Sequence, residues 1–160
     1  MHKITHCISS FNNLNYLKLA VKSVRENSYY KDAPFIIHTE NSVDGTNEWL
    51  KENSEKWNFD YYIEDNDNPI GIGGGMNFCA ERVKTEFINF LHADFYVSKN
   101  WDIELLKMFD KYPDEKLMVF SHRIQPDIFG DENRPGTVFV PLSEFGEFHH
   151  NFDETYFLTW

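Results

Sequence analysis

Short β-rich runs alternate with amphipathic segments along most of the chain, and this alternation is the strongest constraint on the fold. Apolar runs begin at Ile4, Phe35, Phe59 and Phe87, and each is followed by apolar residues at helical spacing. Strands that alternate with helices favour a parallel sheet with right-handed crossovers. We therefore predict an α/β fold with a doubly wound, mostly parallel sheet and helices on both of its faces.

The segment 87–94 is predicted to end a strand at a binding site. Residues 87–91 read FINFL, a run typical of a strand that is covered on both faces. His92 and Asp94 follow directly, and side chains two residues apart on an extended backbone point the same way. Ligands of open α/β sheets bind outside the carboxyl ends of the strands. We predict that Asp94 is half-buried there and that both side chains reach one ion or ligand.

Polar residues also follow the other predicted strands, at 9–10, 40–41 and 65–68. Residues 71–75 read GIGGG and are predicted to be a connection that leads to a helix over 76–83. The glycine spacing does not match the dinucleotide fingerprint, which disfavours an NAD-dependent enzyme. The glycines predict a close approach of the backbone, either to a ligand or to a neighbouring strand.

Composition excludes several classes of partner. With 26 acidic and 15 basic residues the formal charge is -11, which disfavours binding to nucleic acid or to an anionic membrane surface. The first residues do not show the pattern of a basic and apolar leader, and no apolar run is near the length of a membrane span, so we expect a cytoplasmic protein. Cys7 and Cys79 lack ligand spacing and are predicted to be reduced core thiols. If an anionic substrate binds an acidic protein with few Arg and Lys residues near its site, a divalent cation is the simplest way to bring the like charges together.

The chain length suits one domain over residues 1–160. Residues 1–124 carry the alternating pattern and are predicted to form the ligand-binding βα core. Residues 125–160 contain three of the six prolines and show no helical period, so we predict an irregular segment of loops and short strands.

Four stretches, in chain order, resemble the family 2 glycosyltransferases of GT-A fold: ISSFNNLNYLKLAVKSV, ENSVDGTNEWL, NPIGIGGGMNFCAERVKTEFINFLHADFYV and GEFHHNFDETYF. The resemblance covers nearly the whole chain. It implies a domain that binds a nucleotide-diphosphate sugar, with a UDP-sugar as the first expectation, through Mn²⁺ or Mg²⁺. It also implies transfer of the sugar to an unknown glycan, lipid or protein acceptor.

The resemblance assigns expected roles to individual residues. Glu40 matches the acidic residue that holds the base or ribose, and 92–94 match the Asp-x-Asp metal motif, so Asp94 and His92 are the expected metal ligands. The expected nucleotide-sugar contacts are Ser9, Ser10, Phe11, Glu40, Asn41, Asp44, Asn68, Gly71, Asn77, His92 and Ala93.

Three departures from the family pattern have consequences. Met76 stands where many relatives carry Arg, which weakens the expected anion binding. His92 replaces the first Asp of the metal motif and can ligate only as neutral imidazole, so metal binding is expected to depend on pH. Relatives usually continue beyond a segment like FDETYFLTW with an acidic pair that includes the acceptor base, and this sequence stops at Trp160.

Asp153 and Glu154 are the candidate substitutes for that base. We therefore expect donor binding with weak transfer. The alternative is a catalytically silent module of the same fold that binds a nucleotide or a glycan.

Overall fold

The computed structural model describes residues 3–64, 67–113 and 118–119. Strands and helices alternate in the order β1 (Ile4–Ser10), α1 (Leu14–Asn27), β2 (Phe35–Glu40), α2 (Thr46–Trp57), β3 (Asp60–Glu64), α3 (Gly71–Ala80), β4 (Phe87–Phe90) and α4 (Trp101–Lys111). The strands form one sheet in the order β3-β2-β1-β4, and every neighbouring pair is parallel. The predicted parallel α/β fold is confirmed.

Helices cover both faces of the sheet. On one face, Cys79 of α3 packs against Cys7 and Ile36. Phe35, the residue before Ile36, points to the other face, where the Arg25 guanidinium of α1 lies 5.4 Å from the centre of its ring. The sheet is therefore doubly wound, as predicted.

Arg25 joins the elements of the second face. Its guanidinium donates hydrogen bonds to the carbonyl oxygens of Trp57 and Asn58 at the end of α2. It also donates to the carbonyls of Lys31 and Ala33 before β2, at 2.7 and 2.8 Å. Burial lowers the pKa of Arg25 from its ordinary value. One side chain thus ties α1, α2 and the start of β2 together.

The prediction that the strand at 87–91 is covered on both faces is wrong for the described part of the chain. There β4 pairs only with β1 and lies at an edge of the sheet. Ile88 is 38% exposed and Phe90 is 45% exposed. A continuous apolar run gives no information on whether a strand lies at the centre or the edge of a sheet.

Residues 71–75 were predicted to be a connection before a helix over 76–83, but they are already helical. The helix α3 begins at Gly71 and ends at Ala80. Its four glycines disfavour a helix by about 1 kcal/mol each relative to alanine. Close packing of the helix on the sheet explains the glycine at position 75, because an added Cβ there would lie 2.3 Å from Ser9 Oγ and 2.5 Å from His38 Nδ1. The glycines predicted a close approach of the backbone to a ligand or to a neighbouring strand, and at Gly75 the backbone approaches strands β1 and β2.

The described residues belong to two compact units, one up to Glu104 and one from Leu105 onward. Within the first unit, the buried Asp102 carboxylate accepts the backbone N–H groups of Tyr29 and Tyr30 at 2.7 and 2.9 Å. These bonds fix the first turn of α4 beside the loop after α1.

Most of the C-terminal predictions lie outside the described residues. Between residues 114 and 124 only 118–119 are described, and they belong to no regular element. The segment 125–160 lies wholly outside, so the single domain with its division after residue 124 stays a prediction. None of the described helices has the length and apolar character needed to cross a membrane.

Candidate functional site

The carboxyl edge of the sheet brings most of the predicted site residues together. Ser10 at the end of β1 pairs with Thr39 of β2, and Cys7 of β1 pairs with Phe90 at the end of β4. The segments that follow the three strands therefore leave the sheet at the same edge. These segments and strand ends carry Ser9, Ser10, Phe11, Glu40, Asn41, Asp44, His92, Ala93 and Asp94. Asn68 is exposed in the segment before α3, Gly71 begins that helix, and Asn77 lies within it.

Asn12 holds the loops after β1 and β2 together. Its side-chain oxygen accepts the Val43 N–H at 2.8 Å, and its own N–H donates to Ser42 Oγ at 3.1 Å. Ser42 Oγ also lies 2.8 Å from Thr39 Oγ1. Asn12 and Asn41 have left-handed backbone angles, with φ of 47° and 43°, which asparagine tolerates better than most residues. The two loops thus form one hydrogen-bonded unit at the edge of the sheet.

Asp44 caps two helices. Its Oδ2 accepts the Leu14 N–H at 2.7 Å, and its Oδ1 accepts the Thr46 N–H at 3.1 Å and the Thr46 hydroxyl at 2.6 Å. Burial raises the pKa of Asp44, but these hydrogen bonds outweigh it and leave the pKa below its ordinary value. Asn13, the residue before α1, makes no side-chain cap, and Asp44 takes that role.

Glu40 caps α3 from the neighbouring strand. Its side chain is buried, and its two oxygens accept the backbone N–H groups of Ile70 and Gly71 at 2.9 and 3.2 Å. The helix has no acidic residue in its first turn and no side-chain cap from Ile70. A hydrogen bond to a charged group contributes about 1.5 to 3 kcal/mol, so the two bonds offset much of the cost of the glycines.

His38 and Glu64 join Glu40 in a cluster that the sequence analysis missed. One ligand atom from each lies within 4.8 Å of the others, and His38 Nε2 is 3.2 Å from Glu64 Oε2. Glu64 pairs with Glu40 across β2 and β3, so two acidic residues at the ends of adjacent predicted strands were the available signal. Because the α3 N-terminus already meets Glu40 and the His38 ring meets Glu64, this cluster is not the metal site that we propose.

The His92–Asp94 turn is more open than predicted. Both residues are exposed, so the expectation of a half-buried Asp94 is wrong, whereas Ala93 between them is buried. The chain turns after Leu91, with the Phe95 N–H donating to the His92 carbonyl at 3.2 Å. Within the described part of the chain, the Asp94 carboxylate has no hydrogen-bond or ion-pair partner. An exposed carboxylate two residues after an exposed histidine suits a divalent cation that takes its remaining ligands from water and phosphate.

One surface concavity and the two candidate bases remain to be placed. A concavity lined in part by Pro34, Phe59 and Asp60 lies at the amino ends of β2 and β3, on the opposite edge of the sheet. Asp153 and Glu154 lie outside the described residues, so their roles as candidate bases stay predictions.

Several solved structures are similar to this chain. Staphylococcus aureus TarS superposes with a TM-score of 0.62 at 18% identity, over 70% of this chain and 20% of TarS. Its fragment 1–349 in complex with UDP-GlcNAc gives the same TM-score and identity over 32% of that chain. The mannosyltransferase PcManGT of Pyrobaculum calidifontis, in complex with GDP-Man and Mn²⁺, gives 0.56 at 15% identity over 71% of this chain and 33% of that one. At these identities the similarity shows the GT-A fold, and the chain spans a third or less of each structure.

A search of curated proteins finds no match. The family described as Glycosyl transferase family 2 matches residues 5–158, which is almost the whole chain. This match includes the capped turn at Asp44, the glycine-rich α3 and the His92–Asp94 turn. The chain belongs to glycosyl transferase family 2.

Proposed function

We propose that this domain binds a nucleoside-diphosphate sugar at the carboxyl edge of its sheet and transfers the sugar to an acceptor. The observation that carries the proposal is the exposed Asp94 carboxylate, which has no partner among the described residues and lies two positions after His92, at the same edge as Glu40, in a chain of this family. UDP-sugars are the first donors to test, because the TarS fragment is solved with UDP and UDP-GlcNAc. GDP-mannose is the second, from PcManGT.

Asp94 and His92 would hold the divalent cation, Mn²⁺ or Mg²⁺. When bound, such a cation neutralises the charge of the departing diphosphate. The formal charge of -11 supports a need for it, as does the lack of any Arg or Lys between Gly71 and Asn77. Mn²⁺ is the first ion to test, because PcManGT is solved with it.

The order of the strands suggests how the donor lies. Asp94 follows β4, and Glu40 ends β2, with β1 between them. A diphosphate beside Asp94 would therefore direct its nucleoside across Ser9 and Ser10 toward Glu40. The Glu40 carboxylate already accepts two N–H groups, but each oxygen has a second lone pair that can accept a nucleoside donor.

Transfer requires a base for the acceptor hydroxyl, and Asp153 and Glu154 remain the proposed candidates within this sequence. A positioned base contributes about 10² to 10⁴ in rate. A silent module that binds a nucleotide or glycan is the second candidate function, favoured by Met76 and His92 where relatives carry Arg and Asp. A cytoplasmic location, suggested by the two free cysteines, is part of the same proposal.

Calorimetric titration tests the binding half. UDP, UDP-GlcNAc and GDP-mannose are titrated into the protein with Mn²⁺ and then with EDTA. We expect one nucleotide class to bind with Mn²⁺ and not with EDTA. The Asp94→Ala variant should lose the metal dependence, whereas Asp60→Ala, which removes an exposed carboxylate at the opposite edge of the sheet, should keep it. Equal affinities with Mn²⁺ and EDTA would contradict the metal assignment.

Nucleotide release from several sugar donors with Mn²⁺ tests the transfer half. The Asp153→Asn and Glu154→Gln variants are assayed beside the wild type. Turnover that is lost in one variant identifies the base, and turnover that survives in both places the base elsewhere. Donor binding without turnover in the wild type favours the silent module.

A further inference from the structure

We propose that Ser23 and Asn27 of α1 are positioning residues for the His92–Asp94 turn, which they hold through the backbone of Val97. This role deepens the proposed function, and it rests on the assignment of the cation to that turn. The observation behind it concerns Val97, the third residue after Asp94. Its N–H donates to Ser23 Oγ at 3.2 Å, and its carbonyl accepts the Asn27 side-chain amide at 2.8 Å.

The other end of the turn is held by the sheet. The Leu91 N–H donates to the Cys7 carbonyl of β1 at 2.9 Å, which continues the pairing of β4 with β1 by one residue. Leu91 and Val97 are buried, whereas His92 and Asp94 are exposed. The two expected metal ligands therefore lie on a short loop between two buried anchors, one held by β1 and the other by α1.

The hydrogen bonds at Val97 satisfy backbone groups that have little access to water. Val97 is only 8% exposed, and buried backbone groups in proteins are nearly always hydrogen-bonded. Ser23 is fully buried, and its hydroxyl donates its own proton to the Ala20 carbonyl at 2.9 Å, so its lone pairs can accept the Val97 N–H. Removing Ser23 Oγ or the Asn27 amide takes a partner from this backbone and favours conformations in which the segment leaves α1.

The same end of α1 also binds the residues that follow Val97. The Asn27 carbonyl accepts the Asn100 N–H at 2.6 Å, and Ser28 Oγ accepts the Trp101 indole N–H at 2.9 Å. These bonds fix the start of α4. In this series of contacts Val97 comes first after the turn, so its two hydrogen bonds are the ones that bear on the turn itself.

A turn that has lost its anchor at Val97 should bind the cation more weakly. A ligand that needs one conformation binds with an apparent affinity that is reduced by the fraction of molecules in that conformation. Loss of a group that orients metal ligands from outside the coordination shell typically costs about 10- to 100-fold in metal affinity. We therefore expect Ser23→Ala and Asn27→Ala each to weaken UDP binding in the presence of Mn²⁺ by about tenfold.

Ser28→Ala is the matched control, because it removes another buried hydroxyl that accepts an N–H group at the same end of α1. Its partner is the Trp101 side chain in α4 and not the backbone beside the turn. Urea denaturation should show that Ser28→Ala lowers the free energy of unfolding as Ser23→Ala does. Calorimetric titration with UDP and Mn²⁺ should nevertheless give the wild-type affinity for Ser28→Ala. A role in stability alone would not separate these two variants.

Amide hydrogen exchange without ligand is the second readout. The Phe95 N–H donates to the His92 carbonyl at 3.2 Å, so its exchange reports on the turn. This exchange should be about tenfold faster in Ser23→Ala and Asn27→Ala and unchanged in Ser28→Ala.

Two results would overturn the inference alone. One is a wild type that binds UDP only with Mn²⁺, together with Ser23→Ala and Asn27→Ala variants that keep its affinity. The other is unchanged exchange of the Phe95 N–H in both variants. Wild-type binding of UDP that is equal with Mn²⁺ and with EDTA would instead contradict the proposed function, and the inference with it.

Discussion

Replacing Asp44 by alanine should destabilise the domain through two helices at once. The carboxylate caps α1 through the Leu14 N–H and α2 through the Thr46 N–H and hydroxyl. Loss of one helix cap costs about 1 kcal/mol, so the loss of both should cost about 2 kcal/mol. In a protein of this size that corresponds to a fall in Tm of about 4 to 8 °C.

Thermal and urea denaturation measure this loss, and Asp67→Ala serves as the control for removing one exposed carboxylate. Asp44→Asn should lose less stability than Asp44→Ala, because the amide oxygen of asparagine keeps one hydrogen-bond acceptor. The reasoning is refuted if Asp44→Ala differs from Asp67→Ala by less than about 0.5 kcal/mol, the range of ordinary surface substitutions.

The effect of Asp44 should also depend on pH, with a defined sign. Its folded-state pKa is lowered from 3.8 by the hydrogen bonds from Thr46 and Leu14, against the opposing effect of burial. A carboxylate with a lowered pKa stabilises the fold above its unfolded pKa and loses that contribution as the pH falls through the folded value. The stability gap between wild type and Asp44→Asn should therefore be full at neutral pH and shrink below pH 3.8. A constant gap across this range would contradict the assignment of Asp44 as an ionised cap.

Two further predictions concern the buried part of the sheet. Burial and the charge of Arg25 lower the pKa of His6 to about 4, so between pH 6.5 and 4 the unfolded state binds a proton that the folded state does not, and the stability falls with the pH. The free energy of unfolding, measured by urea denaturation, should fall by up to about 3 kcal/mol over this range. The prediction is contradicted if the free energy of unfolding of His6→Phe falls with pH as steeply as that of the wild type. Gly75→Ala should cost about 1 to 3 kcal/mol, because its Cβ would overlap Ser9 and His38, and a loss under about 0.5 kcal/mol would contradict that packing.

The fold was predictable from sequence because its signal is repeated along the chain. The four apolar runs and the helical spacing between them each specify one βα step, and parallel strands need crossovers of this kind. Most of the strand ends differ from the prediction by one residue. Glu40, for example, was predicted to follow a strand and is instead the last residue of β2. Tertiary packing explains the larger difference at α3, because Gly71–Gly75 become helical only against β1, β2 and Glu40.

The site was predictable only in part, since the sequence indicates which residues lie at the strand ends and not what they contact. Glu40 and Asp44 are placed at the expected edge, yet each carboxylate accepts a backbone N–H group from a residue 30 positions away in the chain, Ile70 for Glu40 and Leu14 for Asp44. The exposure of Asp94 follows from the turn after Leu91, which the apolar residues around it do not reveal. His38 was missed because a histidine inside an apolar strand gives no sign of a carboxylate on the next strand.

Backbone NMR with UDP tests most directly whether the carboxyl edge of the sheet is a cation-dependent donor site. Mg²⁺ and UDP are added first, and the bound Mg²⁺ is then replaced by a small fraction of Mn²⁺. We predict shifts of the amide signals of Ser10, Glu40 and Gly71 with Mg²⁺ and UDP, and selective broadening of the 92–94 signals with Mn²⁺. Shifts confined to the opposite edge, near Pro34 and Asp60, or broadening that spares residues 92–94, would contradict the account.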